Sequence, residues 1–155
     1  MKLETLEAIA TDPKIFLLKG RNVKALIASK RERIAEWRRL AESITVTLKE
    51  GGTSGGGYKQ SIVENAVTNI VDLENEILEE IAELVCVERA IREAINVLIS
   101  DSRYAAILEL RYVHHLKLEE IAVRLNYAFR WVQRLHGQAL LEMKEAALSR
   151  AALVL

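Results

Sequence analysis

Arg130, Gln133, Arg134 and Gln138 recur at helical spacing near the end of the chain, with Trp131 and His136 on their flanks. No acidic residue lies between Glu120 and Glu142. Guanidinium and carboxamide groups on one helix face are the donors that meet phosphate oxygens and purine edges in a DNA major groove. On that reading Arg134 and Gln133 approach base edges, and Arg130 and Gln138 reach bases or backbone. Lys117 and Arg124 meet phosphates, and Trp131 belongs to the same surface. Taken singly, Arg130 and Arg134 are ordinary solvated charges. What lifts them above that is the apolar face on the other side of their helix.

Other reactive side chains point to less. Adjacent histidines on a helix diverge, so His114 and His115 with His136 lack the Cys or carboxylate that would complete a tetrahedral metal set. The single Cys86 sits among apolar neighbours and reads as a small core residue. It excludes an internal disulfide, which suits a cytoplasmic protein. Glu79-Glu80 and Glu119-Glu120 have nothing nearby to shift or orient them and read as solvated helix faces. Residues 51–57, Gly-Gly-Thr-Ser-Gly-Gly-Gly, invite comparison with a phosphate-binding loop. Such a loop follows a strand and ends in Lys-Ser or Lys-Thr, whereas Tyr58-Lys59-Gln60-Ser61 has the wrong order. The stretch reads as a flexible connection between helices. No enzymatic activity, cofactor or metal is expected.

The elements that must position the basic face follow from hydrophobic spacing. From 101 to 145 the chain gives three short amphipathic segments, the last two joined around Asn126 and Tyr127, as in a helix-turn-helix. Leu118, Ile121, Ala122 and Leu125 share one face of the second segment. Val132, Leu135, Ala139, Leu140 and Met143 do the same for the third, which starts at about Phe129. Upstream, Thr11-Asp12-Pro13 offers a cap and a first-position proline, so a helix begins there, and Gly20 reads as a break. From about Asn22 to Glu50 runs a long basic helix with Ile27, Ile34, Ala41 and Leu48 seven apart. From about Ser61 to Ser100, Val63, Ile70, Ile77, Leu84, Ile91 and Leu98 fall seven apart, the mark of a left-handed coiled coil. A helix of about 40 residues is roughly 60 Å long. A second aliphatic line, Val71, Leu78, Val85 and Ile99, widens the stripe beyond what one partner covers and points to self-association.

The expected fold is therefore all-α, a long antiparallel helical hairpin of coiled-coil type followed by a C-terminal helix-turn-helix. It divides into short N-terminal helices over 1–20, the hairpin and oligomerisation region over 21–100, and the helix-turn-helix domain over 101–155. A chain of 155 residues with one proline can bury a real core. Charge balances overall at 22 basic and 22 acidic residues, but the two ends are basic and residues 51–100 acidic. No apolar run approaches the roughly 20 residues that span a bilayer, and the N-terminus does not read as a signal peptide.

The stretch ILELRYVHHLKLEEIAVRLNY followed by VQRLHGQAL resembles the region-four helix-turn-helix of sigma-70 family factors. The version it resembles is that of phage late-transcription regulators of the ArpU/RinA type. VENAVTNIVDLENEI leading into AIREAI is similar to the long helix of that family. Where the family carries Gly in the turn and Ser or Thr at the recognition-helix cap, this chain has Asn126 and Ala128, and Lys117 replaces the hydroxyl cap of the second helix. The resemblance implies a DNA-binding regulator of phage or prophage late genes in the bacterial cytoplasm, binding double-stranded DNA as a homo-oligomer, with RNA polymerase as a second candidate partner. Two other classes fit the same elements. One is a small-terminase-like DNA-recognition subunit for genome packaging, and the other is a coiled-coil scaffold that does not bind DNA.

Overall fold

The computed structural model describes residues 1–51 and 56–154, and all regular structure among them is α-helical. The order is α1 (Leu3–Thr11), α2 (Pro13–Lys49), α3 (Gly56–Leu98), α4 (Ser102–Tyr112), α5 (Leu118–Leu125) and α6 (Phe129–Val154). The all-α class expected from composition and periodicity is what forms. The glycine-rich connection expected over 51–57 lies largely outside the described residues.

Helix starts follow local chemistry. The Asp12 carboxylate accepts from the Lys14 and Ile15 amides at 2.9 and 3.3 Å, and Pro13 takes the first helical position, where its missing N–H leaves no bond unmade. Asp101 caps α4 in the same way, accepting from the Arg103 amide at 2.8 Å. Its carboxylate also binds the Arg103 guanidinium, which with the amide bond holds its pKa down to about 2.

Gly20 is not the expected break. The helix continues through it. A lone glycine costs about 1 kcal/mol against alanine in a helix interior, whereas full burial of a large apolar side chain contributes about 1.5–3 kcal/mol, and both Phe16 and Leu17 are buried on the preceding turn. Gly20 is itself buried, and a β-carbon there would stand 3.7 Å from the His115 ring and 3.8 Å from Ile91. The glycine marks a close approach rather than an interruption.

The helices gather into two compact units, Met1–Asn22 with Leu84–Leu155, and Val23–Glu83. In the first unit α1 packs on α6, so the N-terminal helices share a core with the C-terminal ones. One cluster joins Ile9 and Leu17 to Ile91, Ile95, Leu108 and Met143. A second joins Ile107 of α4, Ile121 and Ala122 of α5, and Val132 and Leu135 of α6. The face anticipated on α6 is thus shared between two cores. Val132 and Leu135 serve the second, Ala139 and Met143 the first, and Leu140 is half-buried against the first. Glu142 accepts from both the amide and the hydroxyl of Ser100 at 2.9 Å, and Arg150 donates to the Val97 carbonyl at 3.2 Å. These bonds fix α6 to the end of α3. Cys86 is exposed, not the small core residue its apolar neighbours suggested.

In the second unit, moving forward along α2 from Lys30 to Arg38 moves the partner back along α3 from Glu80 to Glu74, as antiparallel helices require. Ile27, Ile34, Leu73 and Ile77 are buried in this unit. Lys30 bonds Glu76 at 2.9 Å and also Glu80. The bonds to Glu80 and Glu76 hold the Lys30 ammonium above its ordinary pKa, and the bond to Lys30 holds Glu76 below its own. Val71 and Leu78 of the second aliphatic line are exposed here, as is Val85 in the first unit, while Ile99 is buried in the first unit's core. No helix among the described residues is long and apolar enough to cross a membrane.

Candidate nucleic-acid interface

The basic face rests on α5, the turn after it, and α6. Lys117 stands at the capping position just before α5, where its ammonium cannot accept from the orphan amides of the first turn. The missing cap is met from the other side, because the Glu120 carboxylate reaches back to the Lys117 amide at 2.6 Å. Glu119 and Glu120 also place negative charge in the first turn, where the helix dipole favours it.

The turn is closed by Asn126, which takes the left-handed conformation at φ 56°, ψ 42°. Its amide donates to the Val123 carbonyl, and the Tyr127 amide reaches the Ala122 carbonyl at 2.9 Å. That pair of bonds is a Schellman closure, in which asparagine is the common substitute for glycine. Ala128 offers no side-chain oxygen to the first turn of α6. Its carbonyl accepts from the Trp131 and Val132 amides at 2.9 and 3.1 Å. The absent hydroxyl cap costs α6 about 0.5–2 kcal/mol relative to serine.

All seven expected DNA-contacting residues lie in this region, and all are exposed. Arg130, Gln133 and Arg134 share the outer surface of α6, opposite the buried Val132, Leu135 and Ala139. The Arg134 guanidinium lies 5.6 Å from the centre of the Trp131 ring, a cation–π contact that narrows the directions the arginine samples. Gln138 is tied to α4, its carboxamide oxygen accepting from the Tyr104 hydroxyl at 3.0 Å, so its amide nitrogen is the end that can donate outward. Lys117 stands at the start of α5 and Arg124 in its last turn.

Three features were not foreseen. Val123 is 84% exposed, and with Tyr127 and Phe129 it lines a shallow cleft over the turn that also includes Ala122 and Asn126. His115 takes a left-handed backbone at φ 58° and sets its imidazole 3.6 Å from Glu88. His136, expected on the flank of the basic face, is half-buried and bonded to the Tyr112 hydroxyl at 2.9 Å. No sequence pattern links Tyr112 with His136, because they meet only when α4 lies on α6. Among the described residues no three His, Cys, Asp or Glu side chains are grouped as a metal site needs.

Burial, with Arg111 and Lys14 nearby, pushes His136 down to about 4. The ring is therefore neutral at pH 7 and adds no charge to the basic face. Its ordinary value is 6.5, so as pH falls the unfolded chain takes up this proton first and the folded chain resists until about 4. Stability from this group is full above 6.5 and is lost on acidification through that window. Discounted for partial solvent screening, the loss is about 2 kcal/mol. Denaturant midpoints from pH 7 to pH 4 should fall more steeply for the natural chain than for His136→Gln. Parallel profiles would rule this out.

Set against known proteins, the chain matches no family model, no curated protein and no solved structure.

Proposed function

We propose that this chain is a sequence-specific DNA-binding transcriptional regulator of phage or prophage late genes, acting as an activator. In this reading α4 to α6 form a region-four-like helix-turn-helix, with α6 the recognition helix in the major groove. α2 and α3 form an antiparallel coiled-coil hairpin through which copies associate, presenting several recognition helices at once. The exposed apolar groups at the turn, Phe129 and Trp131, suit RNA polymerase as a second partner.

The observation that supports this best is the exposed Arg130, Gln133 and Arg134 surface of α6, held over a buried apolar face within a stretch free of acids. The outer face of a helix placed only for packing is also polar, but here it carries donors with no acid among them between Glu120 and Glu142. A second reading, a DNA-recognition subunit for genome packaging, is favoured by the two unlike faces of α2 and α3 described below, which suit a ring.

The test is a selection of bound fragments from a phage or prophage genome, followed by titration at several salt concentrations. Retention of a discrete set of promoter fragments is expected, with log affinity falling linearly in log salt. Enrichment of a packaging site would support the second reading. Failure to retain any duplex even at low salt would leave only the scaffold.

A further inference from the structure

The unit formed by Val23–Glu83 presents two opposite faces of unlike chemistry. On the first, the exposed Val71, Leu78 and Ile81 of α3 lie beside basic α2. Arg31 and Arg38 share a groove with Leu78, Ile81 and Glu74. Lys24, Arg31 and Arg38 stand seven apart and continue that basic line. On the second face the chemistry is reversed between the helices. Asp72, Glu76 and Glu83 lie well round α3 from Leu78, and Glu79 stands at the edge of that acidic line. Arg33 is close enough to Glu76 to help depress its pKa, and Leu26, Arg33 and Leu40 stand seven apart along α2. Leu26 is 54% and Leu40 40% exposed.

We infer that copies of this chain associate head to tail, the first face of one packing on the second face of the next. The aliphatic line of α3 then covers Leu26 and Leu40 of its neighbour, and the basic line of α2 meets the neighbour's acidic α3. Packing the first face on itself either sets the basic line of one copy against that of the other, where like charges select against the pairing, or lays basic α2 on the aliphatic line of α3, where Glu74 is the acid of the groove and already pairs with Arg38. A heterologous contact leaves one face open at each end, so the assembly grows past a dimer until it closes as a ring or extends as a filament. This inference deepens the self-association reading and is independent of whether the chain binds DNA.

The experiment uses the full chain without DNA and reads mass by sedimentation and helix content by circular dichroism. Leu78→Arg disables only the first face and Leu40→Glu only the second. Both positions are exposed, so helix content should hold. The natural chain is expected to exceed a dimer, each variant alone to be monomeric, and an equimolar mixture to form a capped heterodimer through the one intact contact. A monomeric natural chain, or a mixture that stays monomeric while both variants keep their helix, overturns the proposal. So does a Leu40→Glu variant that still assembles. If either variant loses helix, the charge reversals Arg31→Glu and Glu83→Lys replace the pair, with the same outcomes required. Duplex binding by the monomeric variants, measured separately, tells a failed assembly reading from a failed DNA reading.

Discussion

Arg134→Ala is expected to weaken binding of the selected duplex by about 1–3 kcal/mol, roughly 5- to 150-fold, and to relax preference at a single base position. On the proposed reading the guanidinium makes a bidentate contact to a guanine edge, which alanine removes whole and lysine does not restore. The platform beside it matters as well. Trp131 lies against this guanidinium, so Trp131→Ala should lose part of the same affinity by returning freedom to the arginine. Lys117→Ala and Arg124→Ala should behave differently, weakening all duplexes alike and lowering the salt slope by about one each, as lost phosphate contacts do. Fluorescence anisotropy on matched and single-substituted duplexes separates the two patterns. Unchanged affinity and unchanged preference for Arg134→Ala would remove the recognition role of α6.

The parts of the fold that sequence alone made readable are those set within a few turns of one helix. α5 begins and ends at the residues its apolar spacing implies, Leu118 and Leu125, and α6 starts at Phe129. Asn126 takes the left-handed turn that its short polar side chain tolerates. The exposure of Arg130, Gln133 and Arg134 follows from the burial of Val132 and Leu135 on the opposite face, since a helix cannot hide both faces.

What escaped the sequence depends on partners far along the chain. Periodicity marks Gly20 as a break because glycine weakens a helix, yet the buried side chains around it draw the backbone close to Ile91 and His115. The apolar neighbours of Cys86 suggest a core position, but neighbours in sequence point in different directions around a helix, and Cys86 is exposed. His136 on a flank could not announce a bond to Tyr112, twenty-four residues away. Nor does periodicity say which buried face meets which. The union of α1 with α6 in one core is a property of packing alone.

Leu135→Ala is expected to destabilise the small core beneath the basic face by about 2–5 kcal/mol, the range for deleting a fully buried leucine side chain. Leu135 is 1% exposed and is one of five buried residues in the cluster that joins α4, α5 and α6. α5 has only eight residues, and its buried side chains, Ile121 and Ala122, both belong to that cluster. A cavity there removes most of what holds α5 and the turn at Asn126, while the cluster around Ile9, Leu17, Ile91 and Met143 keeps its contacts. The loss should therefore be local. Hydrogen exchange should quicken at the amides of α5 and the first turns of α6 and change little in α3 near Ile91 and Ile95. Leu141→Ala, at a site 62% exposed, removes the same atoms from solvent contact and should cost less than about 0.5 kcal/mol. Uniform acceleration across all helices in Leu135→Ala would mean that the two clusters unfold as one. In that case the surface of α6 would be as rigid as the rest of the unit, and any loss of duplex binding in this variant would measure global unfolding rather than the positioning of Arg130, Gln133 and Arg134.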